Sequence, residues 1–141
     1  MKRLMVAATI ASALVSPTTL AGEVADLYLN GNSSAIVGSS ETSYGISNLF
    51  YITNERIDLI QIGTMVKCDN TKPNRINSKR IAIECIQDSE FKIIRRIKSQ
   101  AGRDYIINAL KTKGLLDWEG WKATAPNFIE DFKAIGNDEI L

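Results

Sequence analysis

The chain has 141 residues, a formal net charge of +1, 45% hydrophobic and 23% charged residues. That length suits one compact domain with an apolar core, and the near-neutral balance argues against bulk attraction to nucleic acid or to an anionic membrane surface. The chain contains no histidine, which removes the commonest general base and nitrogen metal ligand and excludes Ser-His-Asp and Cys-His arrangements.

Residues 1–21 have the three-part layout of a secretory signal peptide. Met1-Lys2-Arg3 is a positive start, Leu4 to Val15 an apolar run, and Thr19-Leu20-Ala21 a small-residue exit. A spanning helix needs about 20 apolar residues; this run is shorter, and Pro17 breaks it off. The expectation is cleavage before Gly22 and export to the periplasm, cell surface or medium, with no stable membrane insertion of the product. An exported chain with two cysteines, Cys68 and Cys85, most simply forms one disulfide. Closing that loop contributes about 3 kcal/mol on the chain-entropy account. Two thiols without histidine make a poor metal site, so neither a metal nor a cofactor is expected.

Residues 22–48 read as a loosely structured segment. Val24 to Leu29 can form a short strand, but Asn30-Gly31-Asn32-Ser33-Ser34 is turn chemistry, and Gly38-Ser39-Ser40 and Tyr44-Gly45 continue the irregular character. The domain proper is expected over 49–141. Leu49 to Ile52 reads as a first strand and Thr53 to Arg56 as a turn. A second strand is expected over Ile57 to Cys68, with Ile60, Ile62, Thr64, Val66 and Cys68 on one face. Asp69 to Ser78 should be a loop. Arg80, Ala82 and Glu84 then alternate with Ile81, Ile83 and Cys85, a half-buried strand. A hairpin with the cysteines directly opposed would set Ile83 against Asn70 and Ile81 against Lys72, poor partners on a buried face. The bridge should therefore join residues that are not cross-strand neighbours.

Glu90 to Ser99 is a further strand, entered through Gln87-Asp88-Ser89, with Phe91, Ile93 and Ile97 on one face and Lys92, Ile94, Arg96 and Lys98 on the other. Gly102 breaks the pattern, Tyr105 to Leu110 suits either helix or strand, and Gly114 and Trp118 to Trp121 read as irregular or briefly extended. A final helix carries Phe128, Ile129, Phe132 and Ile135 as one stripe, with Thr124 as its cap, Pro126 in the first turn and Gly136 at the exit. Strands first and helix last give an α+β domain, an antiparallel sheet packed against a C-terminal helix.

No glycine fingerprint for phosphate and no nucleophile elbow occurs. Asp117 and Glu119, flanking Trp118, are the candidate carboxylate pair for hydrolytic work, and solvated loop acids are the simpler account. No catalytic residue is assigned, and the chain is expected not to be an enzyme. Lys92, Arg96 and Lys98 share a face of an extended strand and form a candidate patch for a protein or an acidic polymer. The alternative is the ordinary charged outer side of an antiparallel sheet. Trp118, Trp121 and Phe128 are expected to tether the last helix to the sheet, or else to anchor a partner.

Three segments in order, Phe50-Tyr51-Ile52-Thr53-Asn54-Glu55-Arg56-Ile57, Ile83-Glu84-Cys85, and Trp121 through Pro126 with the Phe128–Ile135 stretch, make residues 49–136 resemble the surface-adhesin protein E family. These are small exported proteins of Gram-negative bacteria. The resemblance implies an antiparallel sheet packed with helix, no enzymatic activity, and adhesion to extracellular proteins. In that family the strand cysteine typically pairs near the C-terminal helix, where this chain has Ile135-Gly136; Cys68 would be the relocated partner. A periplasmic inhibitor or immunity protein that blocks a partner enzyme is the alternative expectation.

Overall fold

Burial with a period of two organises the chain into two sheets. The computed structural model describes residues 24–69 and 74–136, so the leader pattern of residues 1–21 lies outside the described residues. The strands are β1 (Val24–Asp26), β2 (Tyr28–Leu29), β3 (Ile36–Glu41), β4 (Ser47–Ile52), β5 (Ile57–Ile62), β6 (Arg75–Ile76), β7 (Lys79–Arg80), β8 (Ile83–Ser89), β9 (Lys92–Ile97), β10 (Leu115–Trp118) and β11 (Trp121–Thr124). The helices are α1 (Gln100–Lys113) and α2 (Phe128–Gly136). A six-stranded sheet runs β2-β3-β4-β5-β9-β8 and a five-stranded sheet β1-β11-β10-β6-β7. All pairs are antiparallel except β1 with β11.

The chain passes from one sheet to the other at both margins. Leu27, between β1 and β2, donates its N–H to the Thr124 carbonyl at 2.7 Å. Ile81 donates to the Asn74 carbonyl at 3.0 Å, while the next residue, Ala82, accepts from the Lys98 N–H at 2.9 Å. The first crossing requires glycine at position 38, because a Cβ there would meet the Asp26 carbonyl and stand 2.6 Å from Leu27 Cδ2.

Between the sheets lie Ile36, Phe50, Ile52, Ile57, Leu59 and Ile97 from one side and Ala25, Leu116, Trp118 and Ala123 from the other. Helix α1 adds Ile106 and Leu110, and α2 adds Phe128. Ser99 caps α1 by accepting the Gly102 N–H at 3.0 Å, and Gly114 ends it in the left-handed region at φ 66°.

The α+β class stands. Several local expectations change. The segment 22–48, expected to be loose, carries β1, β2, all of β3 and the start of β4 in its described part. Ser40 is buried there, so a Gly-Ser-Ser run that suggests a loop forms an interior strand once Asn48 and Phe50 pair with it. The long second strand ends at Ile62. Gly63 donates to the Phe91 carbonyl and Val66 turns back onto the Gly63 carbonyl, which buries Val66 and leaves Thr64 and Met65 exposed. The expected common face through Cys68 is therefore broken.

Gly102 sits inside the first turn of α1, where a Cβ would be 2.9 Å from Ile97 Cγ2. Local signals at Ser99 and Gly114 bound the helix, and glycine at 102 lets its first turn pack closely against Ile97. Trp118 to Trp121 is a hairpin whose turn residues Glu119 and Gly120 have φ 55° and 97°, both positive as a type I′ turn demands. Thr124 ends β11 and gives its hydroxyl to Asp26 Oδ1 at 3.0 Å instead of capping α2.

Candidate functional site on the open face of the six-stranded sheet

Cross-strand register places two rows side by side on the outer face of the larger sheet. One row is Tyr51, Asp58, Arg96 and Glu84, each directly opposite the next. Two residues along each strand comes a row of Leu49, Ile60, Ile94 and Ile86. The first row is polar, with three charged residues after Tyr51, and the second wholly aliphatic.

In the charged row the Asp58 side chain is only 2% exposed, because two guanidinium groups cover it. Arg96 donates Nε and Nη2 to its two oxygens at 2.9 and 3.1 Å, and Arg56 Nε lies 3.2 Å from Oδ2. Arg56 also stands over the Tyr51 ring at 5.8 Å. Hydrogen bonding to Asp58 raises the Arg96 pKa above its ordinary value; partial burial opposes this, and the charges of Asp58 and Glu84 add to it.

The three expected patch residues divide accordingly. Arg96 is engaged by Asp58, and Lys92 Nζ lies 3.3 Å from Asp88. Lys98 follows the end of β9 and is exposed. The strand face thus carries neutralised ion pairs next to an uncharged stripe, and the stripe is what distinguishes it from an ordinary charged surface. All four of its aliphatic residues are half-buried by their neighbours. At the end of the strands that holds Ile62, the turns expose further apolar surface, with Phe91 49% and Met65 79% accessible. An aliphatic row on an outer sheet face, with Ile62 46% exposed one row on, is the kind of surface apolar feature that marks binding surfaces.

The opposite face of the same sheet carries a polar ladder. Asn48 donates to Ser40 Oγ at 3.4 Å, Gln61 donates to Asn48 Oδ1 at 2.8 Å, and Arg95 Nε donates to Gln61 Oε1 at 2.8 Å. Arg95 continues to Asn74, to Glu119 at 4.0 Å and across the Trp121 ring at 5.4 Å. Burial pulls the Arg95 pKa down, and Glu119 and Asp69 oppose that. The ladder ties sheet to sheet at the end of the core away from the helices, with its groups partnered to one another, which makes it a strut.

Glu119 is absorbed by this ladder, and Asp117 accepts the Gly120 N–H at 2.8 Å within the hairpin turn. Trp118 is fully buried, and Phe128 stacks on Phe132 at 5.3 Å. Cys68 and Cys85 are joined, with Cα atoms 5.7 Å apart. Cys68 lies outside any strand while Cys85 lies on β8, so the bridge joins a loop to an edge strand, in keeping with the poor register of a cysteine-paired hairpin. Disulfides of this type persist in oxidising compartments.

Both the aliphatic row and the ladder are invisible to a reading of single strands. Their signals are present as apolar residues on two consecutive parities, Leu59-Ile60 and Ile93-Ile94, and as polar residues at inward positions 40, 48 and 61. Among the described residues no cluster of three or more His, Cys, Asp or Glu side chains could hold a metal, and no helix is long and apolar enough to cross a membrane. Compared with known protein families, curated proteins and solved structures, the chain gives no match.

Proposed function

We propose that this chain is an exported, non-catalytic binding protein, adhesin-like in its mode of action, that recognises a protein through the open face of its six-stranded sheet. The observation that carries the reading is the uninterrupted Leu49-Ile60-Ile94-Ile86 row, flanked by ion pairs that are already satisfied. An aliphatic centre with a charged rim is the layout of protein interfaces. An acidic polymer is the less favoured ligand, since Arg96 and Lys92 face carboxylates within the same sheet. Export rests on the leader pattern of residues 1–21 together with the disulfide.

The test is affinity capture from envelope and host-matrix extracts with the wild-type chain and an Ile60→Lys/Ile94→Lys variant. Because both side chains lie on the outer face, circular dichroism of the variant should match wild type. A stoichiometric protein bound by the wild type should be lost by the variant, and hydrogen exchange in its presence should slow in β4, β5 and β9. Equal capture by the two proteins would remove the face from consideration.

A further inference from the structure

The six-stranded sheet has two edges of different character. At one edge β2 is two residues long, and its Leu29 N–H is taken by Asp131 of α2 at 3.3 Å. At the other, β8 runs for seven residues, and among the described residues no strand pairs with its outer side. The bond from the Lys98 N–H to the Ala82 carbonyl sets the parity of this strand. In an antiparallel ladder both backbone groups of a residue point to the same side. Those of Glu84 and Ile86 therefore face β9, and those of Ile83, Cys85 and Gln87 face outward. Cys68 lies beside β8 and engages it through side chains, by the disulfide and by donating its N–H to Gln87 Oε1 at 3.2 Å.

Side chains on the outer face show what a further strand would meet. Moving across the sheet, the charged row alternates Asp58, Arg96, Glu84, so the next position calls for a cation. The adjacent row continues Ile60, Ile94, Ile86 and calls for an aliphatic residue. Beyond it Lys92 pairs with Asp88, at the bulge that ends β8, and the next position again calls for a cation. Strand β9 satisfies the same demand from the other side with Lys92, Ile94 and Arg96. A second copy of β8 does not: no two-fold register centred within Ile83–Gln87 sets a cation beside Glu84. The disulfide at Cys85 pins the middle of the edge, so little order must be lost when it is used.

We infer that the outer edge of β8, which no strand pairs among the described residues, is a docking site for an extended peptide segment of another protein, with a cation-x-aliphatic-x-cation pattern, which adds to the sheet as a seventh strand. This rests on the reading of the sheet as a protein-binding surface and names the form of the partner. Backbone hydrogen bonds to Ile83, Cys85 and Gln87 hold the segment, and Glu84, Ile86 and Asp88 select it.

The test uses the full chain and three synthetic ten-residue peptides: one with a Lys-Thr-Ile-Thr-Arg centre, one with Glu-Thr-Ile-Thr-Glu, and the cationic one N-methylated at alternate backbone nitrogens. The cationic peptide should bind about tenfold or more tightly than the acidic one. The N-methylated peptide should not bind, and exchange of the Ile83, Cys85 and Gln87 amides should slow only with the cationic peptide. A Glu84→Lys variant should lose the preference for the cationic peptide. Equal binding by the N-methylated peptide, or no slowing of those amides, overturns the inference. If the peptides fail while the Ile60→Lys/Ile94→Lys variant still loses its captured protein, the edge is refuted and the face stands. If the peptides bind and that variant captures normally, the face is refuted and the edge stands.

Discussion

Replacing Asp58 with Asn removes the one carboxylate that two guanidinium groups share on the sheet face. Asp58 is almost wholly covered, whereas the Arg96 and Arg56 side chains retain 29% and 50% exposure. A hydrogen bond to a charged group contributes about 1.5–3 kcal/mol when buried, and exposed pairs about 0.2–1 kcal/mol. The bidentate Arg96 contact, with one partner buried and the other partly wet, should fall between these. We expect a coupling energy of about 1–2 kcal/mol between Asp58 and Arg96, and less for Arg56. The assay is two double-mutant cycles, Asp58→Asn with Arg96→Gln and Asp58→Asn with Arg56→Gln, each protein unfolded in urea at low salt and at 1 M NaCl. Added salt should erode the Arg56 contribution more than that of Arg96, because screening acts on exposed charge. A coupling within about 0.3 kcal/mol of zero would refute the claim that this pair organises the face, since that is the additivity error of such cycles.

Reducing the Cys68–Cys85 bridge, or replacing both cysteines with Ala, should lower unfolding free energy by about 3 kcal/mol, read from urea midpoints with and without reductant. An unchanged midpoint would mean that the loop is equally closed in the unfolded chain. Gly38→Ala should cost about 1–3 kcal/mol or prevent folding, because its methyl group meets the Asp26 backbone; thermal unfolding is the measure. Gln61→Leu should cost about 1–3 kcal/mol by stripping partners from Asn48 and Arg95, whereas Ile60→Lys on the opposite face should cost less than Gln61→Leu. Reversed order in denaturant midpoints would show that the inner and outer faces have been exchanged.

Much of the fold is legible locally. Alternation of Ile81, Ile83 and Cys85 with Arg80, Ala82 and Glu84 matches the observed burial, because a strand presents its faces with a period of two wherever it is half-buried. What that pattern conceals is that the chain changes sheets between Ile81 and Ala82, since either sheet imposes the same period. The N-terminal segment is misleading for a related reason. Gly38, Ser39 and Ser40 carry loop composition, yet glycine is demanded there by a crossing strand and serine by a buried amide. The candidate face is half legible: Lys92 and Arg96 sit on one face as the spacing requires, but Asp58, which neutralises Arg96, lies 38 positions away.

Residue order alone determined the class of the molecule, the central strands near residues 49–52, Ile57–Ile62 and Lys92–Ile97, and the pairing of its two thiols, because these depend on neighbours along the chain or on there being a single possible partner; β3, β6 and β10, and the extension of β8 through Gln87-Asp88-Ser89, came only with their partners. Tertiary structure decided which of two equally apolar parities in Leu59-Ile60 and Ile93-Ile94 turned inward, and so which aliphatic row was left facing outward. Period-two chemistry is symmetric between the faces of a strand whose residues are apolar on both, and only the packing of the second sheet and α1 against one side breaks that symmetry.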